Sequence, residues 1–103
     1  MLTTQTYLGQ HSHYGPFTDV NSLPDASGVY VITTQAVNGQ HTIIDVGESH
    51  NIRERITNHD RAQQWLRHQI NGVYAWTLQC DERSRMLIET ALRSTYRPVC
   101  GIR

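Results

Sequence analysis

An arginine and a histidine four residues apart, Arg55 and His59, and a lone glutamate on a later amphipathic stretch, Glu89, are the side chains here best placed for chemistry. On a helix turning about 100° per residue with Ile52 pointing inward, Ile56 lies about 40° to one side, His59 about 20° to the other and Arg55 about 60° away. Arg55 and His59 then share the half that carries the apolar stripe. A guanidinium turned toward a packed face stays charged, and an uncompensated charge there costs several kcal/mol. It therefore meets a carboxylate in a structural ion pair or lines an opening that receives an anion. Glu89 falls about 60° beyond Leu92, at the border of the last helical stripe, where the ordinary outcome is solvation or pairing with Arg85 or Arg93. Other residues are weaker candidates. Glu48 is expected to be exposed, with reach to a metal beside Asp45. His11 and His13 in a polar segment are more often solvated than metal-bound. Tyr7, Tyr14, Trp65, Tyr74 and Trp76 have faces on which bases stack, but their positions suit core or rim.

The elements that hold these residues follow from pattern. Gly28 to Thr34 alternates as a strand, Asn38-Gly39 tips a hairpin loop over 35–40, and His41 to Val46 returns as the second strand, with Gly47 expected to end it. Asn51 followed by Glu54 fits a capping box, opening a helix with Ile52 and Ile56 on its inner side and carrying both Arg55 and His59. Asp60 with Gln63 repeats that pattern and predicts a second helix through Trp65, Leu66 and Ile70 to Asn71-Gly72. Val73 to Gln79 is the third strand. Asp81 caps a last helix whose stripe is Leu87, Ile88, Ala91 and Leu92 and which stops before Pro98. The first 22 residues show no sustained period and are expected to be an irregular segment, or a short edge strand, packed on or extending from a domain spanning 23–103. The expected class is α+β, with a three-stranded antiparallel sheet and order β-β-α-α-β-α.

At 103 residues the chain is one domain, too small for separate catalytic and recognition units. Its mean hydropathy is −0.51, and no apolar run approaches the ~20 residues a membrane span needs. With no signal-like N-terminus either, a cytoplasmic location is the expectation. Cys80 and Cys100 do not make a zinc spacing and are read as free, packed thiols. There is no lysine. All nine basic residues are arginines from Arg53 onward, against five acidic residues there, an excess of +4, while the first 52 residues carry −4. Such a half suits a polyanion, although solvated faces and ion pairs explain it equally well.

Gly28-Val29-Tyr30, then Asp45-Val46-Gly47, Arg55, His59 and the Glu89-to-Pro98 interval resemble, in that order, the GIY-YIG nuclease family over 27–101. The resemblance implies hydrolysis of a phosphodiester in DNA or RNA with one divalent ion, Mg²⁺ or Mn²⁺. By position, Tyr30 would orient or deprotonate the attacking water, Arg55 would hold the scissile phosphate, His59 would relay a proton or bind phosphate, and Glu89 would hold the metal. Two positions depart from the pattern. Gly101 stands where an Asn is usual near the chain end, and Asp45 replaces the tyrosine of the second triplet. A carboxylate cannot donate as a phenol does and repels phosphate, so Asp45 is a second metal ligand, a replacement base, or the mark of a site that no longer cuts. The Asp45–Ser49 run is similar to that of small stand-alone members of the family. Beside the nuclease stand two rivals: an inactive module of the same fold that binds nucleic acid or a protein, and a structural subunit. A homodimer or partner protein would supply specificity.

Overall fold

The computed structural model describes residues 4–8 and 11–101. Its elements are β1 (Thr4–Leu8), β2 (His11–Phe17), a 3₁₀ turn (Val20–Ser22), β3 (Gly28–Gln35), β4 (His41–Ser49), α1 (Ile52–Thr57), α2 (Ala62–His68), β5 (Val73–Gln79) and α3 (Glu82–Tyr96). Among the described residues the sheet has five strands in the order β1-β2-β5-β3-β4, each neighbouring pair antiparallel. The α+β class holds, but three strands are too few. The N-terminal segment is a hairpin whose second strand pairs with β5, and the expected irregular segment is corrected accordingly. The alternation in β2 is hidden because the buried positions hold His13 and Gly15 while the exposed one between them holds Tyr14, and the register shifts between Tyr14 and Phe17.

β3 is buried along nearly its whole length, so both of its faces carry core. On one, Tyr30 and Ile32 pack with Leu23, Ile44, Ile52, Trp65, Ala75 and Cys100 beneath α1 and α2. On the other, Val29 and Val31 pack with Val46, Trp76 and Leu92, with Ile88 of α3 against them. Only Ile88 and Leu92 of the expected α3 stripe do this work. Leu87 is 65% exposed and Ala91 is exposed as well, because α3 turns Arg85, Glu89 and Arg93 toward β4 instead.

The two glycines of the triplets answer close approaches. A Cβ on Gly28 would lie 2.1 Å from the Leu78 carbonyl oxygen, and one on Gly47 would lie 2.2 Å from the Tyr30 ring. Gly47 faces Tyr30 in register, and β4 continues past it to Ser49. It is an interior strand residue, not the strand's end. Nearby, Ile32 pairs with Asp45 while Thr33 pairs with Ile43, leaving Ile44 as an extra residue. This bulge puts Ile44 into the Tyr30 core beside Asp45.

α1 has six residues and is capped by the Asn51 side chain, which accepts from the Glu54 amide at 3.0 Å. It ends before His59, so the helix expected to carry both Arg55 and His59 carries only the arginine. α2 starts at Ala62 without a side-chain cap; Asp60 is drawn to Arg55. Asp81 does cap α3, accepting from the Ser84 amide at 2.8 Å. α3 stops at left-handed Arg97, ahead of Pro98.

Candidate active site

Tyr30 rises from the middle of β3 over the bare backbone of Gly47, and its hydroxyl meets His59 Nε2 at 2.6 Å. His59 sits in the tight connection between α1 and α2, its amide bonded to the Ile56 carbonyl and its carbonyl to the Ala62 amide. The amide N–H of Arg61 donates to His59 Nδ1 at 3.0 Å. An N–H can only donate, so Nδ1 is the unprotonated nitrogen and Nε2–H donates to the Tyr30 oxygen. The imidazole also lies 4.4 Å, centroid to centroid, from the Trp65 ring.

Burial sets the protonation of this pair. The phenol is pushed up to about 12, mainly by burial, with Arg55 and Arg61 pulling the other way. The imidazole is lowered to about 4, again mainly by burial, helped by the same two guanidinium groups. Both rings are therefore neutral near pH 7. The phenol oxygen already receives His59 and lies within hydrogen-bonding influence of Arg55, contacts that favour the phenolate but are outweighed by burial. Arg55 is held from its other side by Asp60, Nη2 to Oδ1 at 2.8 Å, and Asp60 is largely exposed.

The surroundings of Asp45 leave it neither of the two chemical parts expected of it, metal ligand or replacement base. It is completely buried. Oδ2 accepts from Arg61 Nε at 2.8 Å and Trp65 Nε1 at 2.7 Å, and Oδ1 accepts from Arg93 Nη2 at 2.6 Å, the Val46 amide at 2.9 Å and Arg61 Nη2 at 3.3 Å. With its lone pairs occupied, this carboxylate has no room for a metal ion or a water to deprotonate. Asp45 is thus a structural anchor that ties β4 to the start of α2 and to α3. It also aims Arg61, a residue that sequence reasoning passed over. Arg61 uses Nε and Nη2 on Asp45, keeps further donors, and acts on the charge state of both Tyr30 and His59. The signal for it was faint: Arg61 is one of nine arginines and follows a residue expected to be a helix cap.

Glu89 lies on α3, on the other face of the sheet. Arg85 pairs with Glu48 at 2.7 Å, and Arg93 donates to the Val46 carbonyl and to Asp45, so the residue midway between them on α3 faces the Gly47 stretch of β4. The nearest charged contact of Glu89 is Arg93 Nε, 3.8 Å away. Glu48 is committed to Arg85 rather than to a metal. Among the described residues no three His, Cys, Asp or Glu side chains gather as a metal cluster. A single loosely paired carboxylate does fit an ion of the Mg²⁺ kind, which takes one or two protein carboxylates and fills its remaining positions with water and phosphate oxygens. Tyr30, His59 and Arg55 thus form one cluster, Asp45 is tied to it through Arg61, and among the described residues Glu89 is connected only through Arg93, which also binds Asp45. Compared with protein-family models, curated proteins and solved structures, the chain matches none of them.

Proposed function

We propose that the protein is a GIY-YIG-type endonuclease that hydrolyses phosphodiester bonds in DNA or RNA with one divalent ion. The observation that carries this reading is the Tyr30–His59 hydrogen bond beside Arg55. It holds the Tyr30 oxygen, the water-handling group of this reading, beside Arg55, its phosphate-binding guanidinium. Substrate phosphate takes Asp60's place on Arg55 and adds the outward donors of Arg61, two charge-assisted contacts that strengthen as negative charge builds on phosphorus. The phenol first loses its own proton to solvent. Water placed against Tyr30 then gives its proton to the phenolate oxygen. The water's oxygen forms the new P–O bond opposite the leaving ester oxygen, whose bond to phosphorus breaks and which takes a proton from solvent. His59, fixed by the Arg61 amide, keeps Nε2–H on Tyr30 and so positions the phenolate. Glu89 would hold the ion, which supplies Lewis-acid stabilisation of the phosphate when bound.

Because the phenol is raised to about 12, this chemistry has a pH signature. The ionised fraction grows about tenfold per pH unit below that value, so turnover rises with pH from neutral into the alkaline range. The setting is aqueous and cytoplasmic, and a second copy or partner protein supplies specificity. Among the described residues no helix is long and apolar enough to cross a membrane.

One observation favours a second reading. Tyr30 is only 1% exposed, which suits an inactive module that grips nucleic acid or protein through its arginines. Cleavage of labelled single-stranded, duplex and branched DNA and RNA with Mg²⁺ or Mn²⁺ separates the two. The nuclease gives metal-dependent products that Arg55→Ala and Glu89→Ala abolish. No products, with binding unchanged in Glu89→Ala, establish the module.

A further inference from the structure

On the face of the sheet opposite Tyr30, between the β3–β4 hairpin and the end of α3, lies a cavity of about 630 Å³. That is within the roughly 300–1,000 Å³ of small-molecule sites. Its walls are Trp76, His41, Ile43 and Tyr96, with Thr33 and Gln40 as polar groups; no lining residue is an acid, a lysine or an arginine. The polar groups are fixed before any ligand arrives. Trp76 Nε1–H donates to Thr33 Oγ1 at 3.0 Å. The Thr33 hydroxyl lies 2.8 Å from His41 Nδ1, a bond that engages Nδ1 whichever partner donates and leaves Nε2 as the other polar nitrogen of the ring. His41 is also wedged edge-on between two rings, with centroids 4.9 Å from Tyr74 and 5.3 Å from Trp76. The Gln40 amide carbonyl is engaged by Asn38 at 3.4 Å, so its NH₂ is left to donate.

Aromatic walls bind a flat ring, an imidazole nitrogen and an amide NH₂ ask for the polar edge of a heterocycle, and the missing cation argues against a phosphate inside the cavity. We propose that this cavity binds a neutral heteroaromatic ring of the nucleobase class, stacked against Trp76 and Tyr96 and hydrogen-bonded by His41 and Gln40. The site shares no residue with the Tyr30 cluster and does not depend on cleavage.

Two-dimensional ¹H–¹⁵N NMR of the full chain tests it, because the Trp76 and Trp65 indole signals report the two faces separately. Adenosine and cytidine are titrated beside benzyl alcohol, a ring of similar width without ring acceptors. The expected result is a saturable shift of Trp76 but not Trp65, tighter for the nucleosides. His41→Phe keeps an aromatic wall but weakens nucleoside binding about tenfold, the loss of one hydrogen bond, and leaves benzyl alcohol unchanged. Gln40→Ala, on the exposed hairpin where folding is not at stake, weakens nucleosides severalfold. A Trp76 signal that does not move at millimolar nucleoside, benzyl alcohol binding as tightly as nucleoside, or variants that bind nucleoside like wild type would each overturn the proposal.

Discussion

Gly47 has no side chain because the Tyr30 ring occupies the place where one would stand. Gly47→Ala forces its Cβ into that ring, 2.2 Å away, and a buried ring over strand backbone has little room to yield. The expected cost is about 1–3 kcal/mol in urea unfolding, together with loss of cleavage through displacement of the Tyr30 oxygen. His59 gives a pH signature of stability. Its folded pKa, about 4, lies below the ordinary value of 6.5, so between those values the unfolded chain binds the extra proton. Stability attributable to this group is present above pH 6.5 and is lost as pH falls toward 4, on the order of 3 kcal/mol in full. His59→Gln should flatten that limb of the stability–pH curve; an unchanged limb would show that another group is responsible. Asp60 competes with substrate for Arg55, so Asp60→Asn should raise affinity for a phosphate-bearing oligonucleotide, read as a lower Kd by fluorescence anisotropy.

Asp45 acts between elements. It accepts from Arg61 at the start of α2, Trp65 within α2 and Arg93 on α3, and removing it leaves two guanidinium groups facing each other. Asp45→Ala should cost about 3–5 kcal/mol, as breaking a buried ion pair does. Leu92→Ala, which opens the core between α3 and the sheet, should cost about 2–5 kcal/mol. Strand and helix order from Gly28 to Pro98 was legible because alternation, the Asn38-Gly39 turn and the Asn51 and Asp81 caps are local signals. Three features were not legible, each for a physical reason. In β2 a histidine and a glycine take the buried positions and a tyrosine the exposed one, the reverse of an apolar period. His59 falls just past a helix too short for helical-wheel reasoning to reach it. Asp45's role depends on Arg61 and Arg93, 16 and 48 residues away, and no pattern along the chain connects them. Of the candidate residues, Tyr30, Arg55, His59 and Glu89 were grouped through the family resemblance, whereas Arg61 was hidden among equivalent arginines.

Across the molecule, the opposite charges of the two halves of the chain find one another on folding. Asp45 and Glu48 of the acidic half take up Arg61, Arg93 and Arg85 of the basic half. The sequence asymmetry is therefore in part a complementarity between segments rather than a surface waiting for a polyanion. Nucleic-acid binding should accordingly show a shallow salt dependence, a log–log slope of roughly −2 for contacts through Arg55 and Arg61. A much steeper slope would mean that other arginines carry the interaction.

The bulge at Ile44 turns one carbonyl out of the sheet, and the Cys100 amide N–H donates to it at 2.9 Å while Arg93 covers the Val46 carbonyl. β4 is the last strand on its side of the sheet, so residues near Cys100 act as a guard rail along an otherwise unpaired rim. A fusion or tag that pulls this stretch away would bare a strand able to recruit other chains. Unwanted multimers after such engineering would then reflect an unzipped border, not a weakness of the core.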